Sequence, residues 1–231
     1  MENAENDEFK TLEELSLENC PVLFDTSVIV QPLRKGKSDL EYKQVEEKTY
    51  FVNENLKFIR QMTGYIKEKK NFLTVRSVID ELSRGNAYGY KKGVKKRGSF
   101  RNRPLLKLCR AIRAEEKERR KLIDSFLENE RIIKLDEEKE VYSIVYNKYL
   151  GILEEFNLSD TDINFFLTGI TLAMTSTPVI LVSNDFGILK ARNRMLVNAC
   201  LDEESIRFYC RSNFLEFRLL KIRNKNFYTK T

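Results

Sequence analysis

Four carboxylates of this chain fall beside short apolar runs. Asp25 closes Pro21-Val22-Leu23-Phe24, and Asp185 stands just past Val179-Ile180-Leu181-Val182. Glu81 lies in Val78-Ile79-Asp80-Glu81-Leu82, and Asp162 in Leu158-Ser159-Asp160-Thr161-Asp162-Ile163. If the runs are parallel strands, these acids converge on one edge of a sheet. Close carboxylates repel and do not all stay ionised without a cation between them. Hard divalent cations such as Mg²⁺ take oxygen ligands, and one or two of them would neutralise the cluster. Such a site activates water and neutralises charge on phosphoryl oxygens, which is the chemistry of phosphodiester hydrolysis.

Each acid also has a plainer role. Asp25 and Asp185 suit the N-cap of a helix that follows a strand. Asp162 stands three residues after Ser159, the capping-box spacing, and Glu81 fits an exposed helix position. Taken singly, the plainer role is the better reading; four acids in this order on matching elements reverse it. Asp80 and Glu81 point about 100° apart on a helix, so one of them faces the site, and Glu81 is the choice. Asp160 is either an extra acid at the rim or a charge favoured by the helix dipole.

The remaining composition narrows the chemistry. Histidine is absent, which excludes Ser-His-Asp hydrolysis, Cys-His proteolysis and His-relayed proton transfer. Cys20, Cys109, Cys200 and Cys210 form no C-x-x-C pair, so a zinc ribbon is not expected; free, mostly buried thiols are. No apolar run reaches about 18 residues, the length of a membrane span. The start, MENAENDEFK, lacks an apolar signal region. A cytoplasmic, intracellular protein with no membrane partner is expected.

The elements that must position the acids follow from periodicity. Short strands are expected at 21–24, 72–75, 132–135, 179–182 and 206–209. Helical spacing marks 53–69, a helix after Ser77 as cap, about 104–129, 141–156, a helix opened by Ser159, and one after Asp185. Residues 31–50 read as an irregular excursion. Continuous apolar strands alternating with helices indicate an α/β fold with a largely parallel sheet, and ligands of such sheets bind outside the carboxyl ends of the strands. One domain over 1–231 is expected, with its core at about 20–210.

Taken together, the segments around Asp25, Glu81, Asp162 and Asp185 resemble those of the PIN-domain ribonucleases, over residues 22–185. The resemblance implies a Rossmann-like α/β/α sandwich with a central, mostly parallel, five-stranded sheet. It implies endonucleolytic cleavage of single-stranded or structured RNA with Mg²⁺ or Mn²⁺, and a metal-binding, catalytic role for Asp25, Glu81, Asp162 and Asp185. Thr26 and Ser27 would support the site by hydrogen bonding, with Asp160 and Asn184 beside them. A homodimer and a protein inhibitor of antitoxin type are partners that the resemblance brings into view. Toxin, RNA-processing and defence roles all stay open.

This chain is longer than the compact members of that family, and its surplus is basic. Residues 84–121 hold 15 cations and three anions, a net +12, so the rest of a chain of net charge +6 carries −6. That is the footprint of a polyanion-binding region. In the expected insertion, about 84–103, Lys91, Lys92, Lys95, Lys96, Arg97, Arg101 and Arg103 would neutralise phosphates, and Tyr88, Tyr90 and Phe100 would stack on unpaired bases. From 107 to 121 cations alternate with apolar residues, and a solvated helix face is an equal reading. The tail, 213–231, is basic and aromatic. Two rival functions remain: a catalytically silent RNA-binding or assembly module, and a flap-type DNA nuclease.

Overall fold

The computed structural model describes residues 9–30, 42–84, 103–134, 139–175, 178–197 and 206–211. In chain order these give β1 (Phe9–Lys10), α1 (Leu12–Ser16), β2 (Val22–Phe24), α2 (Thr26–Ile29), α3 (Tyr42–Glu68), β3 (Phe72–Leu73) and α4 (Arg76–Ser83). There follow α5 (Arg103–Glu128), α6 (Lys139–Glu154), α7 (Asp160–Thr175), β4 (Val179–Val182), α8 (Phe186–Val197) and β5 (Ile206–Arg211).

The fold is α/β and its sheet is parallel. Val22 and Leu23 pair with Phe72 and Leu73 on one side of β2, and Val22, Leu23 and Phe24 pair with Ile180, Leu181 and Val182 on the other. β5 lies outside β4, and the two-residue β1 lies outside β5, giving the order β1-β5-β4-β2-β3. The chain leaves β2 in one direction to reach β3 and later returns to its other side to place β4. The order therefore reverses between β2 and β4. Carboxyl ends on either side of such a reversal leave a crevice, because the connections depart to opposite sides.

Burial explains why these segments are strands. Val22, Leu23 and Phe24, and all of Val179 to Val182, are buried, as expected of runs covered on both faces. Phe24 packs edge-on against Phe72 with ring centroids 4.9 Å apart. α7 lies close on β4: a Cβ at Gly169 would meet Leu181 Cδ2 at 2.6 Å. The main core joins the strands to Ile59, Met62 and Ile66 of α3, Leu122 and Phe126 of α5, and Phe165, Phe166 and Ile170 of α7.

α3 and α5 run side by side in the same direction. Val45 and Val52 cluster with Leu108, Ala111 and Ile112, Asn55 bonds Glu115, and Arg60 reaches Glu118. With 27 residues, α3 spans about 40 Å, whereas a strand of three or four residues spans only about 10–13 Å. The helix ends where β3 begins, at the amino edge of the sheet. Its Asn55 meets the Ile29 carbonyl just past the carboxyl edge. The N-terminal halves of α3 and α5 therefore project beyond the carboxyl edge, packed on each other through their own small apolar cluster.

Several expectations change. The strand expected at 132–135 is reduced, among the described residues, to a single bridge between Ile132 and Thr74; Arg131 and Ile133 give Thr74 one pair of ladder bonds, and Leu135 is outside the described residues. Residues 42–50, read as part of an excursion, are helical, because α5 covers Val45 and Val52. Residues 26–29 form a single helical turn, the helix for which Asp25 suits the N-cap. Val75 rather than Ser77 precedes α4, and Ser77 instead donates to Asn164. Cys20 and Cys109 are free thiols. No helix among the described residues is long and apolar enough to cross a membrane.

Candidate active site

Asp25 ends β2 and caps α2. Its backbone is extended, and one carboxylate oxygen, Oδ2, faces the Ser27 amide at 3.4 Å. The same oxygen accepts from Ser27 Oγ at 2.5 Å and from Ser183 Oγ at 2.9 Å. Each hydroxyl in turn accepts a backbone amide from beyond β4: Asn184 N–H donates to Ser27 Oγ at 2.9 Å and Asp185 N–H to Ser183 Oγ at 3.0 Å. A hydroxyl has one proton to give. With amides already donating to both hydroxyls, their protons are directed at Asp25. Asn184 Nδ2 adds a bond to the Ser27 carbonyl at 3.3 Å. These bonds tie the end of β2 to the end of β4 across the reversal.

The other three acids surround this stitch. Glu81, exposed on α4, accepts from Thr26 Oγ1 at 2.7 Å through Oε2. Its neighbour Asp80 pairs instead with Arg76 at 3.0 Å, which leaves Glu81 as the acid turned to α2. Asp162 Oδ2 accepts from Ser159 N–H at 3.0 Å and Ser159 Oγ at 2.7 Å, and Asp162 N–H returns a bond to that hydroxyl at 3.2 Å. Asp185 Oδ1 accepts from Gly187 N–H at 2.6 Å and Ile188 N–H at 3.2 Å, at the start of α8. The capping roles suggested by sequence are thus all present.

Those roles occupy one oxygen of each acid. Asp25 Oδ2, Glu81 Oε2, Asp162 Oδ2 and Asp185 Oδ1 hold the structural bonds, and the other oxygen of each forms none among the described residues. At Asp25 this is costly. The residue is fully buried, and Oδ1 has no partner. Burial pushes its pKa up to about 6, against the lowering effect of Ser27, and Asp162 raises it further. Asp162 is also raised, by burial first and then by the charges of Asp185 and Glu81. Asp25 therefore feels Asp162 as a like charge, Asp162 feels Asp185 and Glu81, and the fully buried Asp25 is desolvated without a counter-charge.

In chemistry, though not in spacing, this donor set suits a divalent cation: hard oxygen ligands, unengaged oxygens and repulsion that a cation would relieve. As the side chains stand, no three His, Cys, Asp or Glu residues among the described ones are close enough together to hold a metal ion. The caps account for part of that spacing, since Asp162 and Asp185 are each anchored to their own helix start.

Asp160 is exposed in the first turn of α7, with no bond to the four acids among the described residues. The insertion residues Tyr88, Tyr90, Lys91, Lys92, Lys95, Lys96, Arg97, Phe100 and Arg101, like the tail at 213–231, lie outside the described residues. Arg103 opens α5. Ser183 was not singled out by sequence, although a hydroxyl between an apolar strand and an Asn-Asp pair is a signal in hindsight. Asn164 was also missed; it accepts from Ser77 Oγ at 3.1 Å and donates to Tyr142 Oη at 3.1 Å, fixing α7 to α4 and α6 two residues past Asp162. Comparison with protein-family models, curated protein sequences and solved structures finds no match for this chain.

Proposed function

We propose that this chain is a metal-dependent endoribonuclease with a PIN-like, Rossmann-type α/β/α architecture, which hydrolyses RNA phosphodiester bonds at the carboxylates Asp25, Glu81, Asp162 and Asp185. The observation that carries this reading is that each acid spends one oxygen on the fold and leaves one unengaged, with the fully buried Asp25 Oδ1 at the reversal of strand order. Asp25, Asp162 and Asp185, with Glu81, would hold one or two Mg²⁺ or Mn²⁺ ions. When bound, such an ion lowers the pKa of water and stabilises charge on the scissile phosphate.

The chain's own groups prepare that site. Ser27 and Ser183 orient the Asp25 carboxylate by donating to its other oxygen. Thr26 holds Glu81. The Asp185 and Asp162 caps fix those carboxylates to rigid helix starts. No histidine is needed. The insertion cations and Tyr88, Tyr90 and Phe100 are proposed to bind the substrate strand, and a cytoplasmic setting suits an RNA substrate. A homodimer or an inhibitory protein partner is compatible with this reading.

Cleavage of a labelled single-stranded RNA with Mn²⁺, Mg²⁺ or EDTA tests it, using wild type, Asp25→Asn and Asp162→Asn. Metal-dependent cleavage lost in both variants is the expected result; equal cleavage in all three proteins overturns the assignment. The observed caps favour one rival, a silent RNA-binding module, because they give three of the acids a structural reason to exist. That rival predicts no Mn²⁺ binding by calorimetry. A matched DNA strand distinguishes a flap-type DNA nuclease.

A further inference from the structure

The four acids account for cutting a strand but not for holding one. α5 carries Lys107, Arg110, Arg113, Lys117 and Arg120 at intervals of three and four residues. At about 100° per residue these positions share an arc of roughly 140° on one side of the helix. All five are exposed, whereas Leu108, Ala111, Ile112, Glu115 and Arg119 on the other side are buried. No exposed Asp or Glu stands between Lys107 and Arg120. Two of the acids within this stretch are turned elsewhere: Glu118 to Lys121 at 3.0 Å and Arg60 at 3.8 Å, and Glu115 to Asn55 at 3.2 Å. None of the five cations has an ion pair or hydrogen bond among the described residues.

The face is also placed to serve the site. From Lys107 to Arg120 it runs about 20 Å. Glu115 is level with the end of α2, because Asn55 bonds both Glu115 and the Ile29 carbonyl. Lys117 and Arg120 therefore flank the sheet, while Lys107, Arg110 and Arg113 lie on the part of α5 that projects beyond the carboxyl edge, the edge that holds Asp25. We infer that the outer face of α5 is a track for the phosphate backbone of RNA, leading a strand to the carboxyl edge; the identity of the polyanion rests on the ribonuclease reading. Lys and Arg on such a face bind phosphates and release counterions without reading bases.

Anisotropy of a labelled oligouridine strand, measured in EDTA over a range of KCl concentrations, tests the track apart from catalysis. Each phosphate contact on a single strand contributes about 0.7 to the slope of log Kd against log salt. Replacing all five cations by Gln should therefore lower the slope by about 3.5 and weaken binding by on the order of 1,000-fold at about 0.1 M salt. A control with the same loss of charge, at Lys57, Lys67, Lys70, Lys139 and Arg194, all exposed, should keep the wild-type slope. If the fivefold variant fails to fold, Arg110→Gln with Arg113→Gln should lower the slope by about 1.4. Wild-type affinity in the α5 variants, or an equal loss in the control, overturns the track. A wild type that binds through α5 but cuts no RNA with Mn²⁺ overturns the nuclease reading and leaves the track standing. A wild type that cuts while the α5 variants bind unchanged overturns the track alone.

Discussion

Asp25 holds the most demanding position of the four acids. A capping aspartate at a protein surface keeps its spare oxygen in water, whereas Asp25 Oδ1 is buried without a partner. Its pKa of about 6, against 3.8 for the ordinary group, carries a stability consequence. The folded chain holds this proton more tightly than the unfolded chain, so the contribution is fully present below about pH 4 and is lost as pH rises through about 6. In EDTA, denaturant unfolding should show the stability difference between wild type and Asp25→Asn moving in favour of Asn by up to about 3 kcal/mol between about pH 4 and pH 8. A difference that stays flat over that range contradicts the burial argument. Ser183→Ala removes one of the two hydroxyls that aim Asp25 and the acceptor of Asp185 N–H. Loss of an orienting partner of this kind should lower Mn²⁺ affinity by about 10- to 100-fold, readable by calorimetry, with Asp80→Asn as a control that changes nothing because Asp80 serves Arg76.

At the scale of elements, the site depends on how closely helix starts approach strand ends. Gly187, in the first turn of α8, would bring a Cβ to 2.7 Å from Leu158 Cδ2 and 2.9 Å from Asp185 Oδ1. Gly187→Ala should therefore displace the Asp185 carboxylate and reduce cleavage, while costing about 1–3 kcal/mol of stability. Wild-type activity in that variant would mean that Asp185 is not held where it is needed. Gly169→Ala makes a useful contrast. It strains the seat of α7 on β4 against Leu181, far along the helix from Asp162, and should lower the melting temperature with much less effect on Mn²⁺ affinity.

For the whole molecule, the long helix pair α3 and α5 is what separates this chain from a bare sheet with covering helices. It overruns the carboxyl edge and carries an exposed cationic face on α5. Asn55 is the polar link at that junction, bonded to the Ile29 carbonyl and to Glu115. Asn55→Leu should destabilise the fold by about 1–3 kcal/mol, since it leaves buried polar groups without their bonds. Cleavage should fall further than stability alone explains, because the end of α2 loses its anchor; a variant as active as wild type per folded molecule would contradict that coupling.

Much of the candidate site's local arrangement could be read from residue order. Apolar runs ending in Asp25 and Asp185, an acid three residues past Ser159, and a Glu on the α4 stripe are local patterns, and local periodicity sets strands, helix faces and caps. The absence of histidine likewise limited the chemistry before any fold was known. Other features are non-local. Ile132 has strand character, yet among the described residues it forms a single bridge, to Thr74, and Phe9–Lys10 pairs with β5. The helical start of α3 depends on contacts with residues more than 50 positions away. That Glu81 rather than Asp80 turns to α2 follows from Thr26 and Arg76, and the Ser183–Asp25 bond joins residues 158 positions apart in the chain. Sequence spacing named the acids; only tertiary structure decided which oxygen of each is spent on the fold and which is left free, because that depends on donors brought together from β2, β4 and the helices between them.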